Sequence, residues 1–204
     1  MLGAFGAAGD GSAIFVLEAF DLDEQLEFLM LIVSRLESAG IEYMLTGSMA
    51  MAVYSVPRMT RDIDIVVACR TADADRLVAL FEGDCCIDAE TVRNAVEERA
   101  TFNVIHNDWI IKADFIVRKD EPYRRAEFER RRRMSIGEAG GRVHVVAPED
   151  LILSKLVWAK DSMSELQLRD SRQIVDSVPD LDWAYLERWA RELGITGLLD
   201  RVRE

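Results

Sequence analysis

The segment DIDIVV (residues 62–67) sets two aspartates, Asp62 and Asp64, one residue apart in a run that is otherwise β-branched and apolar. Side chains alternate faces along a strand, so the two carboxylates point one way while Ile63 and Ile65 point into a core. Folding gains nothing from like charges side by side, whereas a hard divalent cation needs several oxygen ligands. A third carboxylate, Asp114, interrupts the apolar run IIKADFIV (110–117) on the face opposite Ile111, Ala113, Phe115 and Val117. If the two strands are neighbours, Asp62, Asp64 and Asp114 converge. Such a triad suits one or two Mg2+ or Mn2+ ions that activate an attacking oxygen and steady a leaving phosphate. Taken singly, each aspartate also reads as a solvated residue at a strand end.

Other residues have the right types to hold a phosphate. Gly47-Ser48 follows the buried run IEYMLT (41–46) and opens a short helix. Glycine lets an anion approach the backbone, and serine caps a helix whose first N–H groups bind anionic oxygens; the same dipeptide serves equally as an ordinary strand-to-helix turn. Arg58 can pair with a phosphate through two N–H groups or stand in water as a loop arginine. Thr60 can support the metal site. Lys155 and Arg169 lie at the edges of buried helix faces, where they reach a triphosphate; alternatively Lys155 snorkels and Arg169 pairs with a carboxylate at the helix packing surface, and Asp170 reads as a structural partner rather than a ligand. The run YRRAEFERRRR (123–133) holds Arg124, Arg125 and Arg130 to Arg133. It reads as a charged helix, either contacting polyphosphate or solvated with Glu127 and Glu129 as local partners. His106 and His144 are single histidines at strand positions and read as packing residues, as do the four tryptophans.

The elements that must position these groups follow from periodicity. Residues 22–39 carry a helical stripe (Leu26, Leu29, Ile32, Val33, Leu36) stopped at Gly40. Strands are expected over 41–46, 62–68, 101–106, 110–117 and 143–147, the third and fourth forming a hairpin. Helices are expected over 49–54, 73–82, 88–99 and 123–133. From Pro148 the pattern is all helix, over 148–160, 163–177, 182–193 and 195–203. The fold class is therefore α/β (α+β), a mixed sheet flanked by helices in layers. The expected division is a leader or N-terminal extension over 1–21, a core over 22–147 and a helical region over 148–204. The 204 residues are 50% hydrophobic, enough for such a core. With 25 Lys and Arg against 37 Asp and Glu, the net charge of −12 argues against a surface built for bulk nucleic-acid binding. No run is apolar enough to span a membrane. Cys69, Cys85 and Cys86, an odd number with no histidine at ligand spacing, fit reduced thiols in a cytoplasmic protein.

Read together, the pattern is G-S-x9-R-x-T-x-D-x-D followed by a strand aspartate: Gly47, Ser48, Arg58, Thr60, Asp62, Asp64 and Asp114. It resembles the nucleotidyltransferase superfamily typified by DNA polymerase beta, and within it the bacterial proteins related to the AbiEii toxin group. Residues 147–175 resemble the helical region of such proteins through Pro148, Glu149, Asp150, Ile152, Lys155, Leu156, Gln167, Arg169 and Asp170. The resemblance implies a nucleotidyltransferase fold and metal-dependent transfer of a nucleoside monophosphate from an NTP such as ATP. The acceptor is an RNA end, a protein or a small molecule. A toxin of a toxin–antitoxin system modifying tRNA is the alternative, as is a non-catalytic nucleotide- or partner-binding protein that keeps the fold; the protein partners to expect are a second copy in a homodimer or an antitoxin. The basic segment of the toxins is matched at Arg169-Asp170 and at Asp176, with Lys155 further away, a departure that counts against toxin activity.

Overall fold

The computed structural model describes residues 11–56, 60, 62–136 and 141–204, with side chains from Glu24 onward. Helix α1 (Gly11–Ser38) begins inside the stretch read as a leader. Its stripe of Phe28, Leu29, Ile32, Val33 and Leu36 is buried in the core. Gly40 ends it at φ +64°. There the Ile41 N–H donates to the Leu36 carbonyl (2.9 Å) and the Gly40 N–H to the Glu37 carbonyl (3.0 Å). This Schellman closure uses glycine for its left-handed residue and packs Ile41 on Leu36.

Seven strands follow in one sheet: β1 (Glu42–Thr46), β2 (Asp62–Ala68), β3 (Cys85–Cys86), β4 (Thr101–His106), β5 (Lys112–Val117), β6 (Arg132–Ile136) and β7 (Gly141–Val145). Their order is β3-β4-β5-β2-β1-β7-β6. The β2/β5 and β1/β7 pairs are parallel and the rest antiparallel, which makes the sheet mixed as expected. Helices α2 (Gly47–Tyr54), α3 (Ala74–Phe81), α4 (Ala89–Glu98) and α5 (Pro122–Glu129) join the strands. Helices α6 (Pro148–Ser162), α7 (Glu165–Ser177), α8 (Trp183–Leu193) and α9 (Thr196–Arg203) complete the chain. Among the described residues no helix is long and apolar enough to cross a membrane.

The β4–β5 hairpin forms as its spacing predicts. Its turn is built on His106, whose Nδ1 accepts from the N–H groups of Asp108 and Trp109 at 3.3 Å each. The imidazole stacks on Trp109 with ring centroids 3.9 Å apart, so this histidine serves packing. The last turn residue, Ile110, holds a left-handed φ of +54° and is exposed, which is costly for a β-branched side chain.

The expected helix over 123–133 is corrected. Helix α5 stops at Glu129, and Arg132–Ile136 is a strand paired with β7. The half-buried Met134 and Ile136 alternate with exposed Arg133 and Ser135, a period of two hidden beneath the arginine run. That pairing also covers the edge of β7, which would otherwise expose unpaired backbone. The arginines are mostly consumed in ion pairs. Arg124 meets Glu127 at 2.8 Å, Arg125 meets Asp120 at 3.2 Å and Arg131 meets Glu42 at 2.5 Å.

Arg130 makes the largest of these contacts. Its guanidinium reaches Asp150 and Glu149 at 2.9 Å each. Both carboxylates are buried at the start of α6, and Tyr185 of α8 donates to Asp150 at 2.5 Å. The Pro148-Glu149-Asp150 sequence is thus the latch that ties α6 and α8 to the sheet half. Burial pushes the Asp150 carboxyl up to about 6, against the pull of Tyr185 and Arg130.

Candidate active site

Strands β2 and β5 run side by side with Asp64 opposite Asp114 and Asp62 opposite Lys112. Ile63, Ile65 and Val67 on one strand and Ala113, Phe115 and Val117 on the other are fully buried. The carboxylates consequently share the other face, as strand alternation requires. Asp114 is the more shielded, with a side chain 21% exposed against 56% for Asp62. Thr60 adjoins the start of β2, its hydroxyl accepting from the Asp62 N–H at 3.4 Å.

Gly47 touches the same spot. It turns the chain out of β1 at φ +65°, and a Cβ built there would collide with the Asp64 carboxylate. Glycine is demanded twice over, by conformation and by space. Thr46 takes the cap position expected for Ser48, without a side-chain cap bond, and Ser48 lies in the first turn of α2. Packed beneath α2 and facing like charges, Asp64 has its carboxyl pushed up to about 6. Burial is the largest cause, followed by Asp114 and Asp62, with Lys155 and Lys112 pulling it back.

Among the described residues no three His, Cys, Asp or Glu side chains are drawn close enough to hold a metal ion as they stand. Lys112 stands among them instead, its ammonium 2.9 Å from Asp114 Oδ2 and 3.4 Å from Asp62 Oδ1. The Asp114 hydrogen bond raises its pKa above the ordinary lysine value. The donor set still fits a hard divalent cation. All donors are carboxylate oxygens, the cluster already attracts a cation, and Asp64 retains an excess of negative neighbours. Lys112 escapes the motif-based reading, yet its position two residues before Asp114 on the same strand face was signal enough.

Lys155 lies within electrostatic reach of Asp64 but is itself buried. Its ammonium donates to Asp170 at 2.8 Å and to Gln167 at 3.3 Å, both on α7. Arg169 is exposed and lines a cavity of about 420 Å³ with Glu165, Arg172, Arg201 and Glu204, between α7 and the C-terminal helix. Arg58 lies outside the described residues. His144 packs edge-on against Tyr43.

A mixed sheet with paired aspartates on β2, a third on its parallel neighbour β5, and a glycine turn seated on one of them is the arrangement expected of a nucleotidyltransferase. A family model for aminoglycoside-2''-adenylyltransferase matches residues 28–134, a span that contains every strand from β1 to β5. The chain belongs to that family, and with it to the enzymes that transfer nucleotidyl groups. Solved structures share the fold. An antigenic nucleotidyltransferase-like protein from Paracoccidioides brasiliensis superposes with TM-score 0.55 at 16% identity, over 87% of this chain and 93% of that one. The antibiotic-resistance factor ANT(2'')-Ia gives 0.51 at 16% identity over 90% and 94% in its solution structure. Its crystal structure in complex with adenylyl-2''-tobramycin gives 0.51 at 15% over 88% and 98%. No curated protein matches the chain.

Proposed function

We propose that this protein is a divalent-metal-dependent adenylyltransferase that moves AMP from ATP to a hydroxyl of a small, cationic, amino-sugar-like acceptor. The observation that carries the reading is the register of Asp64 opposite Asp114 with Gly47 seated on Asp64. Asp62, Asp64 and Asp114 would hold Mg2+ or Mn2+. When bound, the ion supplies Lewis-acid polarisation of the phosphate and neutralises developing charge.

The chain's own groups supply the rest. The first N–H groups of α2, at Gly47 and Ser48, face anionic oxygens at a helix N-terminus, and the missing Cβ of Gly47 keeps Asp64 against that turn. Lys155, clamped by Asp170, contributes positive potential near Asp64. The acceptor oxygen forms a bond to the α-phosphorus, the bond from that phosphorus to the bridging oxygen breaks, and pyrophosphate leaves as the hydroxyl proton is lost. The acceptor class rests on the family and on the net charge of −12, which draws cations toward the protein.

The test is incubation of the protein with ATP labelled at the α-phosphate, Mg2+, and in separate arms an aminoglycoside panel, total tRNA and a protein extract. Label on the aminoglycosides, absent with Asp64→Asn, is the expected result. Label on tRNA or protein alone would overturn the acceptor assignment. No label in any arm would overturn the activity.

A further inference from the structure

Lys112 is a formal anomaly in a cation-binding site. Strand β5 presents Lys112 and Asp114 on one face, and β2 presents Asp62 and Asp64 opposite them. Two rungs of the sheet therefore carry three carboxylates and one ammonium. The Asp64–Asp114 rung sets like charges directly across from each other, which is destabilising. The Asp62–Lys112 rung relieves it, because the ammonium leans along the strand to hydrogen-bond Asp114 at 2.9 Å while staying 3.4 Å from Asp62. With its side chain 37% exposed against 21% for Asp114, Lys112 is the partner with the more open route to solvent.

We propose that Lys112 is a resident counter-ion that holds the carboxylates together before metal arrives and that an incoming divalent cation must displace. The inference rests on the metal-site reading above. Its consequence is an order of binding. A bare divalent ion meets carboxylates already engaged and an ammonium that repels it, so it binds weakly. An ion arriving with a nucleoside triphosphate brings phosphate oxygens that give the displaced ammonium a new partner. Lys112 thereby makes the metal and the nucleotide bind together rather than separately.

The test is calorimetric titration of Mn2+ alone into the EDTA-stripped, full-length protein, its Lys112→Met variant and its Asp64→Asn variant. Melting temperatures are measured with and without Mn2+. Losing a close cation from a partly exposed site is expected to tighten Mn2+ binding by roughly tenfold in Lys112→Met. The metal-free melting temperature should fall, and saturating Mn2+ should restore it. ATP should improve Mn2+ affinity more in wild type than in Lys112→Met. Unchanged or weaker Mn2+ binding in Lys112→Met, with binding still abolished in Asp64→Asn, overturns the counter-ion role and leaves the metal site standing. Equal binding in wild type and Asp64→Asn, or none in any of the three, overturns the metal site and this proposal with it. If Lys112→Met does not fold, Lys112→Gln removes the charge while keeping a polar donor, and the same tightening is expected.

Discussion

At the scale of single residues, position 47 is the most constrained in the site. Gly47 is held at positive φ with its missing side chain replaced by the Asp64 carboxylate. Gly47→Ala is therefore expected to cost about 1–2 kcal/mol from backbone conformation alone, plus the displacement of Asp64. Chemical denaturation of Gly47→Ala, Asp64→Ala and the double variant separates the two parts. The double variant should be more stable than the sum of the singles predicts, and strict additivity would show that the collision is avoided. Mn2+ binding to Gly47→Ala should weaken along with stability. Reading the sequence finds this glycine and assigns it to phosphate approach; the structure adds that it makes room for an aspartate. That contact joins the first residue of α2 to β2, and no local spacing encodes it.

At the scale of elements, most of the framework is legible because each segment has one dominant period. The stripe of α1, the alternation of β2 and β5 and the all-helical run after Pro148 all stand where the pattern puts them. Pairing of β2 with β5, on which convergence of the aspartates depends, is a condition that neither run encodes alone, and the sheet supplies it. Two signals compete at 123–136, where dense arginine reads as a solvated helix and masks the alternating Met134 and Ile136 of β6. The two-residue β3 is too short to announce itself. The α6–α7 pairing is likewise invisible to periodicity, since Lys155 and Asp170 meet across a turn. Lys155→Met should strand a buried carboxylate and destabilise the protein by about 3 kcal/mol in urea denaturation. Replacing the neutral pair together, as Lys155→Met with Asp170→Leu, should recover most of that loss. It should change ATP affinity by less than about threefold, because removing both charges leaves the local field nearly balanced. A larger loss of affinity in the double variant would mean that the ammonium itself reaches the nucleotide. Within the β4–β5 turn, Ile110→Gly should raise stability by about 1 kcal/mol by relieving the positive φ, as a thermal melt would register.

Over the whole molecule, the sheet half and the helical half are joined through the Arg130 latch on Glu149 and Asp150. Arg130→Met should cost about 3 kcal/mol at pH 8, since it leaves the buried Asp150 without its cation, while Glu149 keeps Arg132 at 3.6 Å. The pH dependence has a definite sign. Asp150 titrates near 6 in the fold against 3.8 for a free carboxyl. The folded chain thus holds that proton more tightly, a contribution complete below pH 3.8 and lost as pH rises through about 6. Without Arg130 the carboxyl shifts higher still, so the deficit of Arg130→Met should shrink between pH 8 and pH 5; a constant deficit would refute the latch. The parallel pairing of β1 with β7, at Leu45 and Val145, has a consequence during synthesis. While the ribosome is still translating, β2 and β5 can zip together and assemble the aspartates, but the opposite flank of β1 stays open until residue 145 has cleared the exit tunnel. For that interval the nascent chain carries a bare, apolar strand border, the kind that recruits other chains. Stalled chains ending before Gly141 should accordingly be protease-sensitive and bind a chaperone, and chains long enough to carry residue 145 clear of the tunnel should lose both properties.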